Sequence, residues 1–271
     1  MSALRPTEEA RVSSLLVHPD PDGGVLVTPE SAGWGYVGFE LVRLDGSLLE
    51  RETGERECCI VVVAGSCAID SQYGTWDNLG GRPDPWSGLP DAAYLPPETR
   101  FSVTGDAEIG LCFAPAPSGG AAARVLPGDE IEPELRGHGS HERTVHPILM
   151  ADREADSLLV CEVLTPAGHW SSYPPHKHDR DALPEESFLE ETYYHRVSPS
   201  RGFALQRVYT DERDLDETVA VGDGDTVLVP RGYHTVSAPP GYDLYYLNVM
   251  AGPTRTWAIQ NDPNHEWMLQ P

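Results

Sequence analysis

Positive charge is scarce in this sequence. Its 271 residues include 43 Asp and Glu but only 19 Lys and Arg, giving a formal net charge of −24 at pH 7, and Lys177 is its single lysine. Nucleic acids and anionic membranes are bound largely through Lys and Arg, so we expect neither as a partner. A small anionic metabolite is still compatible with this composition if a few arginines gather at one site.

Cysteine is also sparse, and long apolar runs are absent. The five cysteines are odd in number and include no C-x-x-C pair: Cys58, Cys59, Cys67, Cys112 and Cys161. This set favours reduced core thiols over a disulfide framework. No apolar run approaches the roughly 20 residues that span a bilayer, and the N-terminal MSALRPTEEARVSS lacks the apolar core of a signal peptide. We therefore expect a cytoplasmic protein without a membrane span.

Glycine and proline, in contrast, are abundant, with 26 and 25 residues. They separate short runs rich in Val, Thr and Tyr, a composition typical of many short strands joined by turns. The second half repeats this pattern of short runs and turns. ECCIVVVAG in the first half resembles EETYYHRV in the second, which places Glu57 opposite Glu191. The sequence thus predicts an all-β chain of two stacked copies of one barrel, with domains at residues 1–125 and 126–271.

A histidine pair lies in the second half, in the segment PPHKHD. If this segment is a strand, His176 and His178 project from the same face, because side chains alternate along a strand. Glu191 and His234 complete a set of three imidazoles and one carboxylate. That mixture suits one divalent transition metal, such as zinc, iron or manganese, better than calcium or magnesium. No H-x-H pair precedes Glu57, so we expect the first copy to lack a metal site.

These motifs resemble those of the cupin fold. The second cupin motif, G-x5-P-x-G-x2-H, matches Gly224, Pro230 and Gly232, with His234 one residue early. A closer resemblance is to the 5-deoxy-glucuronate isomerases of myo-inositol catabolism, a bicupin family. It rests on PPHKHD, GFALQRVYTD, VLVPRGYHTV, YYLNVMAG and the terminal DP-x-HEW, which cover the second half almost continuously. The resemblance implies a bicupin fold, two stacked jelly-roll-like barrels in one chain, with metal only in the C-terminal barrel.

The first cupin motif fits less well. Twelve residues, DRDALPEESFLE, separate His178 from Glu191 where the cupin motif has a much shorter gap. We expect this acidic segment to be a loop, and it leaves Glu190 as an alternative ligand. We favour Glu191 because strand alternation then places Tyr193 and His195 on the same face. The ligand set that the resemblance implies is therefore His176, His178, Glu191 and His234.

The reaction that the resemblance implies is a metal-dependent aldose–ketose isomerisation, from 5-deoxy-D-glucuronate to 5-dehydro-2-deoxy-D-gluconate. Three alternatives stay open: the related 5-keto-4-deoxyuronate ketol-isomerase, another metal-bicupin enzyme, and a non-catalytic cupin that binds a sugar acid. The partner in each case is a small sugar acid. Tryptophans in predicted loops, such as Trp257, are expected either to cover the ends of the barrels or to form a contact in a homo-oligomer.

The isomerisation needs a group that moves a proton and a cation that binds the substrate carboxylate. Tyr193, His195 and Lys177 are the candidates for proton transfer, because each lies close to a predicted ligand. Arg143 and Arg207 are the candidates for the carboxylate, because a guanidinium binds it with two parallel hydrogen bonds. Each of these residues also has a structural alternative to its functional role. In these alternatives Tyr193 simply packs inside the barrel, Lys177 faces solvent, and the two arginines form ordinary salt bridges.

Overall fold

The structure is a computed structural model that describes residues 14–269, and these residues form an almost purely β protein. The strands are, in chain order, β1 (Leu16–Val17), β2 (Val25–Val27), β3 (Gly38–Asp45), β4 (Leu49–Glu52), β5 (Arg56–Ser71), β6 (Gly74–Gly80), β7 (Ala92–Leu95), β8 (Arg100–Pro115), β9 (Arg124–Leu126), β10 (Glu134–Arg136), β11 (Arg143–Leu149), β12 (Leu159–Thr165), β13 (Trp170–Lys177), β14 (Asp179–Ala182), β15 (Glu186–Phe188), β16 (Glu190–Ser198), β17 (Ala204–Tyr209), β18 (Asp216–Val221), β19 (Thr226–Val229), β20 (Tyr233–Ser237), β21 (Asp243–Ala251) and β22 (Gln260–Asn261). The described helices are short: α1 (Pro29–Ala32) and three 3-10 turns, Gly128–Glu130, Gly139–His141 and Glu266–Leu269. The predicted all-β class is confirmed.

The first half forms one eight-stranded sheet, in the order β2-β3-β8-β5-β7-β9, with β4 paired to β8 and β6 to β5. Its two longest strands, β5 and β8, have 16 residues each and pair antiparallel along their length. The sheet bends at a bulge between Val62 and Ala64. Gly65 follows with φ +76°, where a Cβ would lie 2.2 Å from the Asp106 carbonyl oxygen, so the bend requires glycine.

The second half contains a seven-stranded sheet, in the order β1-β19-β16-β21-β12-β11-β10, and a five-stranded sheet, in the order β18-β17-β20-β13-β22. An apolar cluster that includes Tyr193, Val208, Val236 and Tyr246 draws side chains from both sheets. The strand β1 joins this half although it precedes the first half in the chain. Residue 125, where we expect the division between domains, lies within β9 of the first sheet, and the division itself stays a prediction.

A separate apolar cluster, called here the shared layer, contains side chains from both halves and therefore joins them. Along β5, Cys58 and Ile60 belong to a cluster of first-half residues, whereas Cys59 and Val61 belong to the shared layer. Strands buried on both faces explain why runs such as ECCIVVVAG are continuously apolar. All five cysteines are buried and free, as their positions in apolar runs predict.

The backbone register corrects one expectation about the repeat. Glu57 pairs with Ala114 near the C-terminal end of β8, and Glu190 pairs with Ala251 at the C-terminal end of β21. The counterpart of Glu57 is therefore Glu190, one residue before the expected Glu191. Among the described residues, none of the helices has both the length and the apolar character that a bilayer span requires. Most of the N-terminal segment MSALRPTEEARVSS lies outside the described residues.

Candidate metal centre

Three histidines meet on the five-stranded sheet of the second half. His176 lies on β13 and is paired in register with His234 on β20, and His178 directly follows β13. Glu191 lies on β16 of the seven-stranded sheet. The two sheets therefore supply imidazoles and a carboxylate from opposite sides to one buried point.

The donor atoms converge closely. Glu191 Oε2 is 3.1 Å from His178 Nε2 and 3.2 Å from His234 Nε2. Ligand atoms of these three buried side chains all lie within 4.8 Å of one another. The ring of His176 lies beside them, with its centroid 4.6 Å from that of His234 and 6.3 Å from that of His178.

The hydrogen bonds of the two nearest histidines fit a bound cation. His178 Nδ1 lies 2.8 Å from the Leu189 carbonyl oxygen and His234 Nδ1 lies 3.1 Å from the Gly232 carbonyl oxygen, so each Nδ1 carries the proton and donates it. The unprotonated Nε2 atoms then face the Glu191 carboxylate. His234 Nε2 is buried and has no hydrogen-bond partner within residues 14–269. Three lone-pair donors that face one another are stable when a cation lies between them.

Burial and neighbouring charge set the protonation states that ligands need. Burial favours the neutral form of Glu191, but the adjoining imidazoles of His178 and His234, each with a nitrogen within 3.2 Å of the carboxylate, outweigh it and lower the pKa of the carboxyl to about 2. Burial, together with the other two imidazoles, lowers the pKa of His176 well below its usual value. The carboxylate is thus charged and His176 neutral near pH 7, as metal coordination requires.

The centre opens into a cavity of about 460 Å³, a size that suits a small molecule. His176 and Glu191 form part of its wall, together with Tyr193, Arg143, Tyr246 and Trp257. Two of the candidates from the sequence, Tyr193 and Arg143, therefore share one cavity with the candidate ligands His176 and Glu191.

Both of these side chains have features that suit a substrate site. Tyr193 forms a hydrogen bond between its hydroxyl and Ser172 Oγ, at 3.1 Å, and burial raises its pKa well above the usual value, so it is a protonated donor. Arg143 is half-buried and donates from Nη1 to the carbonyl oxygens of His141 and Tyr173, at 3.1 and 3.4 Å. It forms no ion pair with any acidic side chain in the described part of the chain.

The other three candidates lie outside the cavity wall. Lys177 projects from the opposite face of β13, where its ammonium pairs with Asp211 and lies 4.8 Å from the centre of the Tyr233 ring. Arg207 forms a two-bond ion pair with Asp216, with both distances 2.8 Å, on the outer surface. The structure brings neither of them to the candidate metal ligands.

His195 is on the same face of β16 as Tyr193 but lies deeper in the barrel. Its Nε2 is 2.9 Å from Gln206 Oε1, and its ring stacks 6.0 Å from that of Tyr193. Burial lowers the pKa of His195 to about 4, so its imidazole is neutral at pH 7. Tyr193 thus lies between His195 and the centre, which leaves His195 without a position on the cavity wall.

The two neighbouring glutamates at the start of β16 point in opposite directions. Glu191 joins the histidines, whereas Glu190 accepts hydrogen bonds from the backbone N–H groups of Gly35, Tyr36 and Val37 in the first half. Of the two alternatives from the sequence, the geometry brings Glu191 to the candidate centre.

The acidic segment before Glu190 differs from the expected loop. Strands β14 and β15 pair to form a hairpin, in which buried Glu186 accepts a hydrogen bond from Arg180 Nε at 2.9 Å. The N–H of Ser187 donates to the Ala258 carbonyl oxygen, which ties the hairpin to the C-terminal segment. A run of acidic residues predicts a solvated loop, whereas the buried Glu186 carboxylate accepts hydrogen bonds from Arg180 and from the Asp179 N–H.

Sequence reasoning missed several cavity residues, including Arg136, His138 and His141. His138 and His141 contact each other with ring centroids 4.3 Å apart, and Arg136 lies over the Trp257 ring at 4.9 Å. These residues lie in the segment RGHGSHER, which has two histidines and two arginines within eight residues of an acidic chain. That local concentration of basic side chains is the pattern that could have indicated them.

Comparisons with known proteins agree with this architecture. Residues 15–268 match the model of the KduI/IolB family. The chain is 52% identical over 257 residues to the 5-deoxy-glucuronate isomerase of Geobacillus thermodenitrificans (strain NG80-2), covering 93% of each chain. A crystal structure of an IolB-like protein from Salmonella typhimurium LT2 superposes with a TM-score of 0.93 at 44% identity, covering 95% of this chain and 100% of that one.

A more distant likeness concerns the fold alone. A Bacillus subtilis oxalate decarboxylase, a protein with Mn(II) centres, superposes with a TM-score of 0.62 at 15% identity, covering 95% of this chain and 81% of that one. This likeness confirms the bicupin class that the sequence predicts. The match over nearly the whole described chain confirms the resemblance to the 5-deoxy-glucuronate isomerases, and the chain belongs to the KduI/IolB family.

Proposed function

We propose that the chain is a metal-dependent aldose–ketose isomerase that converts 5-deoxy-D-glucuronate to 5-dehydro-2-deoxy-D-gluconate in myo-inositol catabolism. The observation that carries the proposal is a single cavity of about 460 Å³ whose wall contains metal-ligand side chains and Arg143, a cation without an acidic partner among residues 14–269. The 52% identity to a 5-deoxy-glucuronate isomerase supports this choice of substrate. Five free, buried cysteines support a cytoplasmic setting.

The proposed cofactor is one divalent ion, zinc, manganese or iron, held by His176, His178, Glu191 and His234. Support comes from the convergence of Glu191 Oε2 on two Nε2 atoms at 3.1 and 3.2 Å and from the mixed nitrogen and oxygen donor set. When bound, such an ion supplies a Lewis acid for the carbonyl oxygen and the neighbouring hydroxyl of the sugar.

The reaction moves a proton between neighbouring carbons and passes through an enediolate, whose oxygens carry negative charge. Tyr193, protonated because of its burial, donates a hydrogen bond to one of these oxygens. Arg143 binds the carboxylate at the other end of the sugar and so orients its aldehyde towards Glu191 and the histidines. Lys177, Arg207 and His195 have no role in the proposal, because the first two are engaged in outward ion pairs and the third is behind Tyr193.

The test combines metal analysis of the purified protein with proton NMR of 5-deoxy-D-glucuronate in deuterated water. We expect about one divalent ion per chain, turnover that stops after treatment with a chelator, and solvent deuterium at the new hydroxymethyl carbon. Assays with 5-keto-4-deoxyuronate and under anaerobic conditions distinguish the sister isomerase and an oxygenase. Undiminished turnover by metal-stripped protein, or preference for 5-keto-4-deoxyuronate, would contradict the proposal.

A further inference from the structure

Glu190 connects the candidate metal ligand Glu191 to the first half of the chain. Its side chain is buried at the boundary between the halves. Oε1 accepts the N–H of Gly35 at 2.7 Å, and Oε2 accepts the N–H groups of Tyr36 and Val37 at 2.7 and 3.1 Å. Hydrogen bonds from three successive N–H groups to one carboxylate are charge-assisted and hold it in one position.

The residues on either side of Glu190 both act on the metal centre. Glu191 supplies the carboxylate, and the carbonyl oxygen of Leu189 accepts the Nδ1–H of His178 at 2.8 Å, which orients that ring. The Leu189 N–H in turn donates to the His178 carbonyl oxygen at 3.0 Å. A shift of the backbone at Glu190 would therefore displace one ligand and the group that orients another.

Glu57 is a matched counterpart without this connection. Its carboxylate accepts the N–H groups of Asp156, Ser157 and Leu158 at 2.8, 2.6 and 2.6 Å, together with the Tyr94 hydroxyl. Each half thus donates three backbone N–H groups to a buried glutamate of the other. The residue after Glu57, however, is Cys58, which packs in the apolar cluster of the first half.

We propose that Glu190 is a positioning residue for the metal centre, through which the first half holds Glu191 and the Leu189 carbonyl in the geometry that binds the ion. The inference rests on the proposed metal site. It adds that the first half positions the metal ligands as well as stabilising the fold. Positioning matters here because a ligand displaced by a fraction of an ångström binds a metal less tightly. Substitution of groups that orient metal ligands typically weakens metal binding by about 10–100-fold.

The experiment compares Glu190→Gln with Glu57→Gln in the full chain. In both variants the new amide N–H₂ faces backbone N–H donors, so both are expected to lower the thermal midpoint of unfolding. The zinc dissociation constant is measured by competition with a chromophoric chelator. We expect it to rise about 10–100-fold in Glu190→Gln and to stay within about twofold of the unsubstituted chain in Glu57→Gln. Saturating zinc should restore the kcat of Glu190→Gln.

Two outcomes would overturn the inference: equal weakening of zinc binding in both variants, which indicates general destabilisation, or unchanged zinc affinity in Glu190→Gln. If the amide variants do not fold, Glu190→Asp and Glu57→Asp carry the same comparison with the charge retained. Failure of the proposed function is distinguishable, because the unsubstituted chain would then bind no metal or not isomerise 5-deoxy-D-glucuronate. Normal zinc binding and turnover with no effect of Glu190→Gln would remove the inference alone.

Discussion

Replacing Arg143 with methionine should impair the reaction of the acid substrate specifically. Arg143 is half-buried, and burial lowers the pKa of its guanidinium from the usual value, yet it has only carbonyl oxygens as hydrogen-bond acceptors among the described residues. A substrate carboxylate would be its first anionic partner. Hydrogen bonds to charged groups contribute about 1.5–3 kcal/mol. At about 1.4 kcal/mol per factor of ten, the variant should lose about 10–100-fold in kcat/KM.

The assay measures kcat/KM for 5-deoxy-D-glucuronate and for 5-deoxy-D-glucose, which has a hydroxymethyl group in place of the carboxylate. We expect the loss in Arg143→Met to be confined to the acid, because only the acid carries the group that the guanidinium binds. Metal content should be unchanged, since Arg143 is not a metal ligand.

Arg207→Met is the matched control. It removes the same charge from an exposed ion pair with Asp216, and such surface pairs contribute about 0–1 kcal/mol. Its kcat/KM should stay within about fivefold of the unsubstituted chain. An equal loss in Arg207→Met, or an equal loss for both sugars in Arg143→Met, would refute the assignment of Arg143 to the carboxylate.

Three further outcomes follow from the same geometry. His178→Ala should reduce bound metal, measured by elemental analysis, to a small fraction, whereas Lys177→Met, on the opposite face of β13, should retain it. Tyr193→Phe should lower kcat about 100–1,000-fold with little change in metal content, because it removes a hydroxyl donor from the cavity; an unchanged kcat would exclude this role. Burial lowers the pKa of His195 to about 4 from 6.5, so on acidification the unfolded chain binds a proton that the folded chain excludes. The contribution of His195 to stability should therefore fall by about 3 kcal/mol from pH 7 to pH 4, so urea unfolding of His195→Gln should show a correspondingly smaller fall than the unsubstituted chain.

The sequence predicts the fold class well, because it depends on local pattern, and the expectation for the ligands depends on local pattern too. Short β-branched runs separated by Gly and Pro imply strands, and the H-x-H spacing places His176 and His178 on one face of a strand whatever lies around it. The hairpin of β14 and β15 was missed because its acidic residues carry no strand pattern, and only the tertiary structure buries Glu186 against the exposed Arg180.

The sequence by itself determined an all-β chain, its membership of a bicupin family, and a short set of candidate side chains for a metal and a sugar acid. Only the tertiary structure decided which members of that set meet. Alternation along β16 requires Glu190 and Glu191 to face opposite sides, but both sides are buried, one by the barrel interior and the other by the first half of the chain. Arg143 and Arg207 likewise both lie on or beside strands, and only packing of the sheets decides that one faces the cavity and the other pairs with Asp216 in solvent.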